Sequence, residues 1–304
     1  MRVKYNVDTQ IVFQIGDPIE FSCAAYLHNA MYEYANINAV SLPLKVEKGK
    51  LHEFIQAARL MNINGFDLTT PHKSDIIEYL DECDEISRIF QCVNHVKLVD
   101  GKLIGCGLDG VGMGLSIESE FGPVKGLDVI IIGAGAVAGA IAADLCTRGV
   151  KSVTVVNRTV GKAEYIANAL QSKYSIPASF GPLTDEHLSA LAPDAGLIVQ
   201  CTTLGPMLHD ADFASLEFVE KLPQHCVVAD VLYPTTTILQ KAAQRGLQII
   251  DGTGMMYYQQ LAAVEFRFGV KLPPDAVKEA EEALSIAITM REIKNKRKVR
   301  GTGK

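Results

Sequence analysis

Hydrophobic and polar positions in the first third of the chain switch between two periods. Short apolar or alternating stretches predict strands over residues 10–15, 39–44 and 65–69, and apolar spacings of three and four predict helices over 26–35 and 50–61. Strand and helix in turn argue for an α/β layer. Further on, the apolar run Asp128-Val129-Ile130-Ile131-Ile132 breaks into glycines and re-enters as a small-residue helix. A second β-branched run, Ser152-Val153-Thr154-Val155-Val156, follows after one helix length. An amphipathic pattern over 255–266 and a final one over 279–291 predict closing helices.

The break after Ile132 reads Gly133-Ala134-Gly135-Ala136-Val137-Ala138-Gly139. Gly133 permits the tight turn, Gly135 lets a pyrophosphate approach the backbone, and the small Ala138 lets helix and strand pack closely. Amide groups at the helix start, at Ala136 and Val137, then face the phosphates. Because a second strand completes the strand-helix-strand unit, the pattern predicts a Rossmann dinucleotide site. The second strand ends in Asn157-Arg158-Thr159, with no carboxylate to grip a free ribose, and Arg158 offers a planar fork for a 2′-phosphate. The pattern favours NADP over NAD.

A length of 304 residues suggests two domains, and the net charge of −6 argues against a nucleic-acid partner. No apolar stretch spans a bilayer and no apolar signal core follows Met1-Arg2-Val3-Lys4-Tyr5-Asn6, so a cytoplasmic protein without membrane attachment is expected. The seven scattered cysteines read as reduced core thiols, with no metal site. The glycine-rich stretch 101–114 reads as the domain junction. The expected division is a substrate domain over 1–109, a cofactor domain over 110–254 and C-terminal helices over 255–304 that return to the first domain, with a cleft between the lobes. The basic tail 294–300 reads as a solvated, frayed end. A homodimer is compatible with all of this.

Hydride exchange with a carbonyl also needs a proton donor or acceptor beside the reacting oxygen. Two polar residues stand where a cleft would use them: Lys73, after Thr69-Thr70-Pro71-His72, and Asp109, in Gly107-Leu108-Asp109-Gly110. Lysine could stabilise developing alkoxide charge and shuttle the proton, with aspartate orienting substrate and ammonium.

Around these residues the chain resembles the shikimate and quinate dehydrogenase family, in order and over almost its whole length. Gly16-Asp17-Pro18-Ile19-Glu20-Phe21-Ser22 is similar to the family's opening segment and implies that Ser22 binds substrate. Gly65-Phe66-Asp67-Leu68-Thr69-Thr70-Pro71-His72-Lys73 resembles the strand and turn that deliver the catalytic lysine. Cys92-Val93-Asn94 resembles the segment of a substrate-binding asparagine, and Asp109-Gly110-Val111-Gly112 that of the catalytic aspartate. Thr202-Thr203-Leu204-Gly205-Pro206-Met207 resembles the loop near the nicotinamide. Asp230-Val231-Leu232-Tyr233-Pro234, and Gly252-Thr253-Gly254-Met255-Met256 with Gln259, resemble the last motifs, whose tyrosine and glutamine face substrate. The resemblance implies catalytic Lys73 and Asp109, with Thr69, Lys73, Asn94 and Asp109 near the ring hydroxyls and Ser22, Tyr233 and Gln259 on the carboxylate side. Together with the glycine pattern, the resemblance implies cofactor contacts at Gly133, Gly135, Ala136, Val137, Ala138, Asn157, Arg158, Thr159, Thr202 and Gly254.

Departures cluster around the substrate. Ala24 replaces a second serine, Gly107-Leu108 replaces an Asn-Thr pair, Asp67 stands where asparagine is common, and His72 replaces an apolar residue. Asp67 would either alter the pattern of substrate hydroxyls accepted or bond local backbone, and His72 reads as a packed or partly exposed ring. The expected activity is reversible, NADP-dependent reduction of 3-dehydroshikimate. The alternatives are a paralogue acting on quinate or another cyclic polyol, and a protein that senses such a ligand without turnover.

Overall fold

The computed structural model describes residues 5–20, 22–205, 211–233, 235–273 and 275–301, with the side chains of 292 and 294–301 excepted. Phe21, Pro206, Met207 and Pro234, which belong to the motifs above, and Met1 to Lys4 at the start, lie outside the described residues. The chain divides into two compact units, Met1–Leu108 with Gln259–Lys304, and Asp109–Tyr258.

The first unit is built on strands β1 (Gln10–Gly16), β2 (Ala39–Lys45), β3 (Gly65–Leu68), β4 (Glu82–Cys83), β5 (His95–Val99) and β6 (Lys102–Cys106), in the order β2-β1-β3-β5-β6-β4. β1 is parallel to β2 and β3 because helices α1 (Ala24–Tyr34) and α2 (Leu51–Leu60) carry the chain back between them. α2 buries Leu51, Phe54, Ile55 and Ala58, a stripe at three- and four-residue spacing that packs with Ile15, Phe66 and Val96. A short helix, α3 (Glu85–Phe90), is capped by Asp84, which accepts from the Ser87 amide.

β5 runs antiparallel to both β3 and β6, and the break between the two units, after Leu108, falls within the stretch 101–114 read as the junction. Asp100 and Gly101, at φ of 50° and 77°, make the two-residue turn between β5 and β6. Two successive positive φ values are what a tight hairpin twisted like its strands demands, and Asp-Gly supplies them. The glycine there closes a hairpin.

The second unit opens with α4 (Asp109–Glu120) and continues through β7 (Asp128–Ile132), α5 (Ala136–Thr147), β8 (Ser152–Asn157), α6 (Val160–Tyr174), β9 (Ala178–Pro182), α7 (Asp185–Leu191), β10 (Leu197–Gln200), β11 (Val227–Asp230), α8 (Thr237–Gln244) and β12 (Gln248–Ile250). All six strands are parallel, in the order β12-β11-β10-β7-β8-β9. This is the doubly wound Rossmann arrangement, and the order reverses between β7 and β10, so ligands belong beyond the carboxyl ends of those two strands. Their side chains are buried on both faces, which is why they read as continuous apolar runs.

α9 (Gly252–Phe268) crosses from the second unit to the first at Gln259. α10 (Ala276–Gly301) packs along α1 in the first unit, where Tyr34 donates to Asp275 just ahead of it. The backbone stays helical through 294–300, which corrects the reading of a frayed tail. Lysine and arginine are good helix formers, and no glycine or proline interrupts the segment. All seven cysteines are free thiols, four of them buried. Among the described residues, no helix is long and apolar enough to cross a membrane.

Candidate active site

β3 delivers the segment that carries Thr69 and Lys73. The Thr69 amide still bonds Ile15 of β1, the Thr69 carbonyl accepts from His72, and the Lys73 carbonyl accepts from Val93 at 3.0 Å. Thr70 in turn accepts from the Asp17 amide, tying this turn to the segment after β1. The close approach requires Gly16, because a Cβ there would sit 2.3 Å from the Thr69 side chain. His72 is fully buried and its Nε2 donates to the Val46 carbonyl at 2.8 Å, so it is a packing ring that anchors the turn beside Lys73.

Asn94 leads into β5 and is buried. Its side-chain oxygen accepts from the Leu108 amide at 2.8 Å, and its amide nitrogen donates to Gln259 of α9 at 2.8 Å. One asparagine thereby ties together the residue that precedes Asp109 and the glutamine of the last motif. Expected on different sides of a ring, Asn94 and Gln259 bond each other. Ser22 is half-buried, and its hydroxyl accepts from Ala24 at the start of α1. Ala24 itself is buried and offers no hydroxyl.

Asp67 neither faces a hydroxyl pattern nor bonds local backbone, which corrects both readings of it. It is buried on β3 opposite His95 of β5, bonded to His95 and to Arg267 of α9, with His28 of α1 beside it. Arg267 and the two histidines carry no sequence motif; only their distance in the fold reveals the cluster.

In the second unit, Gly133 has φ of 109°, and a Cβ there would lie 2.8 Å from Thr202. Gly135 caps α5 in extended conformation, and a Cβ on it would meet nothing within 4 Å. Open space therefore lies in front of a helix start that has no acidic residue in its first turn and no side-chain cap. The unpaired amides of Ala136 and Val137 and the helix dipole suit an anion there. Ala138 is buried against the sheet. After β8, Asn157 donates to the Thr159 carbonyl at 2.9 Å, and Arg158 is exposed. These features fit a phosphorylated dinucleotide.

Two loops follow the neighbouring strands, and two buried polar residues hold them. Gln200 ends β10, donates to the carbonyls of Thr202 and Leu204, and accepts from the Thr202 amide. Asp230 ends β11 in register with Gln200, accepting from the Leu232 amide at 2.9 Å and from the Thr236 hydroxyl at 2.6 Å, which folds back the loop that carries Tyr233. Burial pushes the Asp230 carboxyl up to about 7. Sequence reasoning missed Gln200, since a single polar residue at a strand end has no spacing to betray it. Gly254 is explained by packing, because Ser116 of α4 occupies the place of its missing side chain. Asp109 is buried as the first residue of α4.

Residues 14–96 match the family model described as shikimate dehydrogenase substrate binding domain, and residues 116–242 match that described as shikimate / quinate 5-dehydrogenase. A shikimate dehydrogenase (NADP(+)) of Alkaliphilus oremlandii is 33% identical over 276 residues, 90% of this chain and 96% of that relative. A crystal structure of a shikimate dehydrogenase in complex with NADP+ superimposes with a TM-score of 0.81 at 30% identity, over 92% of this chain and 96% of the other. The shikimate 5-dehydrogenase of Listeria monocytogenes, in complex with shikimate and NAD, gives 0.83 at 27% identity, over 92% and 98%.

Proposed function

The chain belongs to the shikimate and quinate dehydrogenase family, and from that premise we propose that it interconverts 3-dehydroshikimate and shikimate with NADP(H). The observation that carries this is the bonding of Asn94 to both Gln259 and the amide next to Asp109, which joins three separate motif positions. Residues 1–109 and 255–304 serve the ring acid, and 110–254 the cofactor.

NADPH, when bound, supplies the hydride that reduces the ketone. Gly133, Gly135, Ala136, Val137 and Ala138 would hold its pyrophosphate, Asn157, Arg158 and Thr159 its adenosine end, and Thr202 and Gly254 its nicotinamide side. The Lys73 ammonium stabilises the charge that develops on the ketone oxygen and gives up a proton to it. Asp109 orients that ammonium. Thr69 and Asn94 hold ring hydroxyls, and Ser22, Tyr233 and Gln259 the carboxylate end. A cyclic polyol other than shikimate is the second reading, favoured by the buried Ala24 where a hydroxyl would otherwise bind the carboxylate.

Initial rates with shikimate and quinate, each with NADP+ and NAD+, test both readings. Turnover of shikimate with NADP+ well above the other three pairs is expected. Turnover of quinate alone would establish the second reading, and no turnover of shikimate with either cofactor would overturn the first.

A further inference from the structure

Asp67, His28, His95 and Arg267 form a charged cluster in the interior of the first unit, and the proposed reaction assigns none of them a task. The side chains of Asp67 and Arg267 are 4% and 1% exposed. Asp67 Oδ1 accepts from His95 Nδ1 at 2.7 Å and from the Arg267 guanidinium, while Oδ2 lies 3.1 Å from His28 Nδ1. His28 stacks on Tyr32 at 5.5 Å, and the Tyr32 hydroxyl accepts from Arg267 at 3.5 Å. The pair also lies within electrostatic reach of the Cys106 thiol.

Stability alone is a weak reason to keep such a cluster. Taking an ion pair out of water costs several kcal/mol per ion, and well-packed apolar side chains of the same volume often do as well or better. Here satisfaction is also incomplete, since among the described residues Arg267 Nε, His95 Nε2 and His28 Nε2 are buried with no hydrogen-bond partner. What directional groups add, and apolar ones do not, is a single register between the elements that carry them.

Those elements are the ones that carry the substrate side chains. Asp67 lies two residues before Thr69 at the end of β3. His95 follows Asn94 directly, and its strand faces Asp67 in register. Arg267 stands on α9 eight residues beyond Gln259, about 12 Å along the helix at 1.5 Å per residue. α9 is thus fastened to the sheet at three points: Arg267 on Asp67, Gln259 on Asn94, and the Lys97 ammonium donating to the Phe266 carbonyl at 3.1 Å. Only the first fastening is made of charges that admit one geometry.

We propose that Asp67, Arg267, His95 and His28 are positioning residues, which set the register of α9 on β3 and β5 so that Gln259 and Asn94 meet the ring acid together. The inference rests on the reading of function above. Asp67→Asn alone would strand a buried guanidinium, so the test uses Asp67→Asn with Arg267→Gln, which removes both charges. Shikimate binding is measured by calorimetry, NADP+ binding in parallel, and the same pair is placed in a Gln259→Ala background. The Kd for shikimate is expected to rise about tenfold, the Kd for NADP+ to stay within twofold, and the shikimate effect to fall below twofold once Gln259 is gone. Arg267→Lys, which keeps the charge and loses the planar fork, is expected to raise the Kd by a smaller factor. A wild-type Kd for shikimate in both variants, or an undiminished effect in the Gln259→Ala background, would overturn the proposal alone. Wild-type protein that binds no shikimate would overturn the reading of function and this inference with it.

Discussion

Asn94 and Gln259, 165 positions apart, are joined side chain to side chain at 2.8 Å. Gln259 therefore has two tasks in the proposed site, touching the ring acid and orienting the asparagine. Gln259→Ala removes both and leaves the Asn94 amide without this acceptor, at a cost of about 1–3 kcal/mol. Steady-state kinetics should show KM for shikimate raised about tenfold or more, with KM for NADP+ unchanged. An unchanged KM for shikimate would remove Gln259 from the site.

The two glycines of the cofactor loop should respond in opposite ways. Gly133 combines a left-handed backbone with a Cβ position 2.8 Å from Thr202, so Gly133→Ala is expected to lower the thermal midpoint by several degrees. Gly135 is extended and open, so Gly135→Asp should fold normally. Its carboxylate would face the phosphates at the start of α5, and the Kd for NADP+ should rise more than tenfold. Melting curves and fluorescence titration separate the two effects.

Arg158→Ala tests the choice of cofactor. Loss of a charge-assisted bond to the 2′-phosphate costs about 1.5–3 kcal/mol, which is one to two decades in affinity. NADP+ binding should weaken by that factor while NAD+ binding changes little. Equal weakening of both would show that Arg158 does not read the phosphate.

Asp230 predicts a pH dependence of stability. Its carboxyl, near 7 when folded and 3.8 ordinarily, holds a proton in the folded chain between about pH 4 and 7 that the unfolded chain has released. Its contribution is complete below pH 4 and is lost as pH rises to 7. Asp230→Asn keeps an acceptor for the Leu232 amide and cannot ionise, so the denaturant midpoint of the wild type should fall relative to that of the variant between pH 5 and pH 8. His28 acts with the opposite sign, because burial lowers its ring below 6.5 and acid favours the unfolded chain. Each variant is therefore compared with wild type at the same pH. Parallel midpoints for wild type and Asp230→Asn would refute the assignment.

Local patterns made most of the fold legible. The β7 run, its glycines and the second strand announced the dinucleotide unit because each glycine answers a backbone demand that other residues meet poorly. The hairpin at Asp100-Gly101 is not told apart from the junction in the sequence, because the glycine-rich stretch 101–114 holds both the end of the turn and the boundary between the units. Asp67 was noticed and misread: its partners His28, His95 and Arg267 lie on three other elements, and nothing local joins them. Gln200 escaped notice for a related reason, its loop-holding bonds being short in sequence but made from a residue with no motif.

Lys73 is the residue proposed to manage the proton in an NADP-dependent exchange with a ring acid. The most direct test of that role is the initial rate of NADP+ reduction by shikimate in wild type and Lys73→Ala, with NADP+ affinity measured on both. The predicted result is clear wild-type turnover, a loss of at least a hundredfold in kcat for the variant, and NADP+ affinity within twofold. Unchanged kcat in Lys73→Ala would contradict it.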